Sequence, residues 1–158
     1  MSVVPIHFTG VFGTPFHLTI KITSVLGVFI NHVEPKTIID WCIRNPELRY
    51  ARIAQLITPY EMVDGFYQWS FLAGHILHAV ANPNSVLEAF YDLLWPSSWS
   101  DSLALIMEPR IKLIEVLCAS DNDEIRKWAV ERKPEMLKRV NDVRIWEERR
   151  NRAEERFE

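Results

Sequence analysis

Residues 119–129 read A-S-D-N-D-E-I-R-K-W-A, and this stretch decides the fold class. A cluster of short polar residues is followed by a helical pattern in which Ile125, Trp128 and Ala129 share one face. It is the part of the chain that most resembles a repeatable building unit, a turn followed by an amphipathic helix. The pattern indicates helix packed on helix.

Each residue of this stretch has an expected structural role. Asp121 or Asn122 caps the helix, because short polar side chains accept hydrogen bonds from the first backbone N–H groups. Ile125 and Trp128 are expected to bury its inner face. Arg126 is expected to pair with an acidic residue of the preceding helical layer.

The composition is that of a globular protein. A chain of 158 residues with 48% hydrophobic and 25% charged residues is long enough for one domain with a sizeable core. The net charge is −3 and the pI is about 6.0, so no strong positive field attracts phosphates. We therefore expect no nucleic-acid partner.

Charge is unevenly distributed along the chain. Residues 1–120 hold 10 acidic and 7 basic side chains, whereas residues 121–158 hold 11 of each. The first part must therefore bury more of its surface than the second. We predict a single helical domain over residues 1–146, beginning with an irregular arm at residues 1–13, and a charged, solvated helix end at residues 147–158.

Neither a membrane span nor a secretory leader is expected. The apolar run at residues 18–33 is interrupted by Lys21 and Asn31 and is shorter than the roughly 20 apolar residues that a span requires. Cys42 and Cys118 each lie within an apolar helical pattern, which favours buried free thiols over a disulfide. We expect a cytoplasmic protein.

Proline positions set the expected helix boundaries. Four of the nine prolines follow a good N-cap residue, at Thr14-Pro15, Asn45-Pro46, Thr58-Pro59 and Asn82-Pro83. Thr58 and Glu61 form a capping box, which predicts a helix over residues 59–81. The prolines from Pro35 onward are spaced by one or two helix lengths, and Pro134 is expected to begin the last helix.

Other segments complete the predicted all-α fold. Residues 16–33 are expected to form a helix, and residues 101–118 a single helix kinked at Pro109. In the last helix we expect five apolar side chains to face the body of the protein, namely Met136, Leu137, Val140, Val143 and Trp146. The prediction is an irregular stack of about seven to eight helices with a long, charged C-terminal helix.

The sequence patterns indicate neither a catalytic site nor a metal site. His75 and His78 lie three residues apart and could ligate a metal, but no acidic residue lies between Asp64 and Glu88, so a third ligand is missing. The serines near Asp101 match no nucleophile motif. We expect neither an enzyme nor a cofactor, and two partly buried histidines instead of a metal site.

Surface aromatic and basic residues are the candidate partner-binding residues. Trp95 and Trp99 lie in the loop W-P-S-S-W-S, and tryptophan is enriched at interface hot spots. Packing of this pair across the loop is nevertheless the favoured interpretation. Arg126, Arg149 and Arg150 are the candidate basic contacts, and the acidic residues interleaved with them disfavour nucleic acid.

The sequence D-N-D-E-I-R-K-W-A at residues 121–129 resembles the start of the second helix of HEAT-type repeats, where an acidic turn precedes Ile-Arg and an alanine. The sequence N-P-E-L-R at residues 45–49 resembles a weaker copy. Residues 97–158 resemble the C-terminal end of helical-repeat regions in large uncharacterised bacterial proteins, some of them linked to phage defence. The resemblance implies a HEAT-like α-solenoid whose last helix caps the array.

Three functions are consistent with these patterns. The favoured one is a non-catalytic helical-repeat module that binds another protein or a second copy of itself. It would act as a scaffold or as a subunit of a larger bacterial assembly, including the defence-linked assemblies that the resemblance implies. The first alternative is an immunity or antitoxin protein that neutralises a toxin by direct binding. The second is a metal- or ligand-binding protein that uses His75 and His78.

Overall fold

The computed structural model describes Ile30 and residues 32–154. The expected arm at residues 1–13, most of the expected helix at residues 16–33 and the last four residues of the chain lie outside this part. The elements in chain order are α1 (Pro35–Ile43), α2 (Pro46–Ala54), β1 (Tyr60–Val63), β2 (Phe66–Trp69), α3 (Phe71–Ala79), α4 (Asn84–Leu93), α5 (Leu103–Met107), a 3₁₀ turn (Glu108–Arg110), α6 (Ile111–Leu117) and α7 (Asp123–Glu154).

The described part is mainly helical and carries a small two-stranded sheet. Pro109 lies in the 3₁₀ turn that joins α5 directly to α6, so these pieces form the one bent helix that the apolar stripe predicts. Counted in this way, the described residues hold six helices, fewer than the seven to eight expected. The difference arises because most of the helix expected at residues 16–33 lies outside the described part, and because the two helices expected on either side of Pro134 are one helix, α7.

The helix expected over residues 59–81 is wrong in its first half. Thr58 lies in a loop and Glu61 lies in β1, where its carboxylate accepts a hydrogen bond from the Gln68 amide at 3.1 Å. Asp64 and Gly65 join the strands with φ values of +52° and +82°. Two consecutive positive φ values make a type I′ turn, which closes a hairpin and is incompatible with a capping box.

Aromatic and guanidinium contacts hold the hairpin against the helices. The Arg110 guanidinium carbon lies 4.9 Å from the ring centre of Tyr60 and 5.5 Å from that of Tyr67. Its Nη1 donates a hydrogen bond to the Leu94 carbonyl. The positive charge of this buried side chain is thus stabilised by two cation–π contacts and one carbonyl group. The Trp69 indole N–H donates to the Leu113 carbonyl at 2.8 Å.

The long helix α7 spans 32 residues, about 48 Å at 1.5 Å per residue. Pro134 lies inside it, so the prediction that Pro134 begins a separate helix is wrong. A proline here removes one backbone hydrogen bond, to the Val130 carbonyl. Buried side chains on both sides of the proline, Ala129 and Met136, keep the helix docked through it.

The neighbouring helices are arranged around α7. The bent helix α5–α6 runs antiparallel to it, because Leu103 contacts Glu147 near one end and Glu115 pairs with Lys133 nearer the other. Helix α4 packs against the first half of α7, where Glu88 and Tyr91 both contact Trp128 and Arg132. Among the described helices, none is both long enough and apolar enough to cross a membrane.

The expected roles of residues 119–129 are largely confirmed. Ile125 and Trp128 are buried. Of the two candidate caps, Asn122 is the one that acts, because its Oδ1 accepts from the N–H groups of Glu124 and Ile125 at 3.0 and 3.3 Å. Asp121 is exposed.

Candidate functional site

The loop between α4 and α5 is fixed to α7 at both ends. At its start, Trp95 is partly buried against the core, and the Arg139 guanidinium carbon lies 3.9 Å from its ring centre. This is a cation–π contact. Trp95 is therefore a packing residue, and its candidate role as an exposed binding residue is wrong.

The second attachment is a buried carboxylate. Glu147 is 8% exposed, and its Oε2 accepts from the Ser102 hydroxyl at 2.6 Å while its Oε1 accepts from the Leu103 N–H at 2.7 Å. The Ser102 Oγ also accepts from the Leu105 N–H at 3.2 Å. Two side chains thus satisfy the first amides of α5, which have no partner within that helix.

Between the two attachments the loop exposes Trp99, whose exposed fraction is 51%. Ser100, the next residue, lines a cleft of 350 Å³ together with Arg150 of α7. Arg150 lies 5.0 Å from the ring centre of Trp146, which is 56% exposed. The prediction that Trp146 and Leu137 face the body is therefore wrong, because Leu137 is exposed as well. Trp99 therefore precedes one lining residue of the cleft in the sequence, and Trp146 contacts another, Arg150.

We call this region the C-terminal surface. It comprises the exposed Trp99 and Trp146 and the residues that line the cleft, which are Ser100, Asp101, Ser102, Arg144, Glu147, Glu148, Arg150 and Asn151. Arg144 pairs with Glu108 and so attaches this part of α7 to the 3₁₀ turn. The cleft walls carry both signs of charge, which suits polar and charged protein groups better than a polyanion.

The structure brings together some of the predicted interaction residues and separates another. Trp99 and Arg150 belong to the C-terminal surface, and Arg149 is exposed on the same helical turn of α7. Arg126 lies near the opposite end of α7. It pairs with Asp123 and donates to the Ser120 carbonyl at 2.7 Å, so the expected ion pair with a preceding layer is replaced by local contacts.

A second polar cluster joins α7 to α4. One oxygen of Glu88 accepts from the Trp128 indole at 2.8 Å and from Nη2 of Arg132 at 2.7 Å. The Trp128 ring also meets the Tyr91 ring edge to face, with centres 5.9 Å apart. Partial burial by itself raises the pKa of Glu88, but these hydrogen bonds outweigh it and hold that pKa below its usual value.

The histidine and cysteine candidates lie elsewhere. His75 is partly buried, as expected, with its ring centre 6.4 Å from that of Tyr50. His78 is exposed on the same helix, so the expectation that it is partly buried is wrong. Within residues 32–154, no group of three His, Cys, Asp or Glu side chains could hold a metal ion. Cys42 and Cys118 are free thiols, and burial raises the pKa of the Cys42 thiol, which lowers its reactivity.

The sequence matches no family model, no curated protein and no solved structure. The function of the candidate site is therefore inferred from its geometry and chemistry alone.

Replacing Glu147 tests the attachment of the loop. Glu147→Ala removes two hydrogen bonds to a carboxylate and leaves a buried N–H without an acceptor, so we expect a loss of about 2–4 kcal/mol in the free energy of unfolding. Urea denaturation measures it. Glu148→Ala is the matched control on the same helix, because Glu148 is exposed and lies 3.9 Å from Arg152. Equal effects of the two substitutions would contradict the capping role.

The Glu88 cluster predicts a pH dependence. A lowered folded-state pKa means that the charged form stabilises the fold, and this contribution is lost as pH falls through that pKa, below the ordinary value of 4.5. The stability difference between wild type and Glu88→Gln should be largest at pH 7 and shrink towards pH 3. Glu131→Gln, at an exposed carboxylate of α7, is the control. A difference independent of pH would refute this role.

Proposed function

We propose that this chain is a non-catalytic helical module that binds another protein through the C-terminal surface, as a scaffold or as a subunit of a larger assembly. The observation that carries the proposal is the pair of exposed tryptophans beside one cleft. Exposed tryptophans grouped around a cleft are typical of binding surfaces, whereas single exposed apolar residues are common on any protein.

The chemistry of the surface supports a protein partner. Tryptophan and arginine are the residue types most enriched among interface hot spots, and here Arg150 is stacked on Trp146. An indole presents a large apolar face together with one hydrogen-bond donor. Charged groups of both signs line the cleft and would form the polar rim around these two apolar contacts.

The attachments of the loop support the proposal energetically. Trp99 lies between the Arg139–Trp95 stack and the Glu147 cap, which restrict the loop at both ends. A surface that is already ordered loses less conformational entropy when a partner binds. The antiparallel pair of α5–α6 and α7 is also the kind of helical unit from which HEAT-like stacks are built, and such stacks commonly bind other proteins.

The test is affinity purification of the full chain from its native cell, comparing wild type with the double variant Trp99→Ala/Trp146→Ala. Loss of a hot spot worth about 2 kcal/mol weakens binding roughly 30-fold, so the double variant should lose the partner while its melting temperature stays near that of wild type. Trp41→Ala is the control, because Trp41 is 41% exposed and lies on α1.

Size-exclusion chromatography over a range of protein concentrations completes the test. Self-association that the double variant abolishes would identify a second copy as the partner. A wild-type chain that stays monomeric and retains no partner would contradict the proposal. Retention of the same partner by wild type and double variant would show that binding uses another surface.

A further inference from the structure

A second line of side chains runs along α7 on a face that points to solvent. We call it the outer stripe, and its members are Asp123, Lys127, Val130, Pro134, Leu137, Asn141, Ile145, Glu148 and Arg152. At 100° per residue these positions fall within about 80° of one another. Their centre lies roughly 130° around the helix from the buried residues Ile125, Ala129, Met136 and Val140. Every member of the outer stripe is exposed.

The middle of the outer stripe is apolar although it lies in solvent. Val130, Leu137 and Ile145 are 57%, 44% and 37% exposed, and Pro134 lies between the first two. The described part of the chain therefore leaves this apolar line largely uncovered. An apolar centre with charged residues at both ends is the arrangement found at interfaces between proteins.

The outer stripe is complementary to itself when its direction is reversed. Eight of its residues form four pairs that are all centred on the same point of the helix, between Leu137 and Lys138. The pairs are Asp123 with Arg152, Lys127 with Glu148, Val130 with Ile145 and Pro134 with Asn141. A two-fold axis at this point places each residue opposite its pair member in a second copy. Acidic residues then meet basic residues near both ends, and valine meets isoleucine nearer the centre.

We propose that α7 pairs through the outer stripe with α7 of a second copy of this chain, in an antiparallel, two-fold symmetric dimer. Leu137 lies beside the axis and packs on its own counterpart. A parallel pair in register would place Asp123 against Asp123 and Glu148 against Glu148, so the charges select the antiparallel arrangement.

Local ion pairs of α7 are compatible with this dimer. Asp123 pairs with Arg126, and Glu148 lies 3.9 Å from Arg152 on the same helix. Exposed pairs of this kind are weak and exchange partners at little cost. In the dimer, Asp123 and Lys127 of one copy approach Glu148 and Arg152 of the other, so a network of four charges forms at each end of the interface.

The dimer uses a face distinct from the C-terminal surface of the proposed function. Trp146 lies about 140° around α7 from the centre of the outer stripe, and Trp99 belongs to the loop between α4 and α5. Glu148 is the residue that the two surfaces share. One chain could therefore bind a second copy and another protein at the same time.

Analytical ultracentrifugation of the full chain over a range of concentrations tests the dimer. An interface with one helix from each copy is small, so we expect a dissociation constant on the order of 10 μM. Leu137→Glu places two negative charges beside the axis and should weaken the dimer at least about 100-fold. Met62→Glu, at a 61% exposed residue of β1, is the control and should leave the dimer unchanged. Circular dichroism checks that both variants keep the fold.

Charge reversal tests the register of the two helices. Lys127→Glu and Glu148→Lys each turn two attractive pairs into two repulsive ones, because the symmetry repeats every pair. Either change alone should weaken the dimer about tenfold. The combined Lys127→Glu/Glu148→Lys restores attraction across the axis and should return the dissociation constant to within about threefold of wild type. A change that merely disturbed the helix would not be rescued in this way.

Cross-linking tests the position of the axis, with both native cysteines replaced by alanine. Lys138→Cys lies beside the axis at the edge of the outer stripe, so a short bifunctional maleimide should join two copies there. Glu131→Cys lies about 20 Å along the helix from its counterpart and should not be joined. Because Lys127 of one copy lies near Arg149 of the other in this dimer, distances within one chain are measured with an excess of unlabelled chain.

Several results would overturn the inference. A wild-type chain that stays monomeric at about ten times the expected dissociation constant would show that the outer stripe does not pair. A dimer that Leu137→Glu leaves intact, or that Trp99→Ala/Trp146→Ala abolishes, would use another surface. Failure of the combined charge swap to restore the dimer, or cross-linking at position 131 as well as 138, would contradict the antiparallel register.

The same variants separate this inference from the proposed function. Leu137→Glu should abolish the dimer and still retain a protein partner in affinity purification, whereas Trp99→Ala/Trp146→Ala should lose the partner and remain dimeric. Loss of both interactions in either variant would show that one surface serves both and would contradict the separate dimer face.

Discussion

A narrow buried stripe on α7 is the contact on which the other elements depend. Ile125, Trp128, Ala129, Met136 and Val140 form it, and each is at most 7% exposed. Burying a large apolar side chain contributes about 1.5–3 kcal/mol, so this stripe outweighs the loss of one backbone hydrogen bond at Pro134. Helices α4, α5 and α6 pack against α7, and α6 and the 3₁₀ turn in turn hold the hairpin.

Polar clusters near the two halves of α7 fix how its neighbours are placed. Apolar packing is non-directional, whereas a carboxylate that accepts two or more hydrogen bonds requires particular donors at particular distances. Glu88 sets the position of α4 on the first half of α7, and Glu147 sets the start of α5 on the second half. The exposed tryptophans of the C-terminal surface are held in place by the second of these clusters.

Local sequence signals predicted the features that depend on local chemistry. The cap at Asn122, the burial of Ile125 and Trp128 and the bent helix through Pro109 follow from patterns spanning a few residues. The hairpin also had a local signal, because Asp64-Gly65 between apolar residues is typical of a type I′ turn. The capping-box pattern of Thr58 and Glu61, which is also local, predicts a helix there instead.

The remaining differences come from contacts between distant residues. Pro134 continues a helix because packing on both sides outweighs its intrinsic preference for a helix start. Glu147 caps a helix that begins 44 residues earlier in the chain, and no short pattern encodes that contact. Trp146 lies on the same face of α7 as the buried Trp128, 18 residues earlier, yet it is 56% exposed. Its exposure is therefore decided by which elements cover that part of α7, and the helical pattern does not encode this.

The central claim is that residues 123–154 form one continuous helix against which α4, α5 and α6 pack. Pulsed electron–electron double resonance measures the distance between spin labels attached at Lys127→Cys and Arg149→Cys, on either side of Pro134. Cys42 and Cys118 are replaced by alanine so that only these two positions are labelled. Both labelled positions are exposed, and 22 residues of helix place their Cα atoms about 33 Å apart. A single narrow distance distribution near this value, after allowance for the label linkers, is the predicted result. A clearly shorter or broad distribution would show that the helix breaks at Pro134 and would contradict the account.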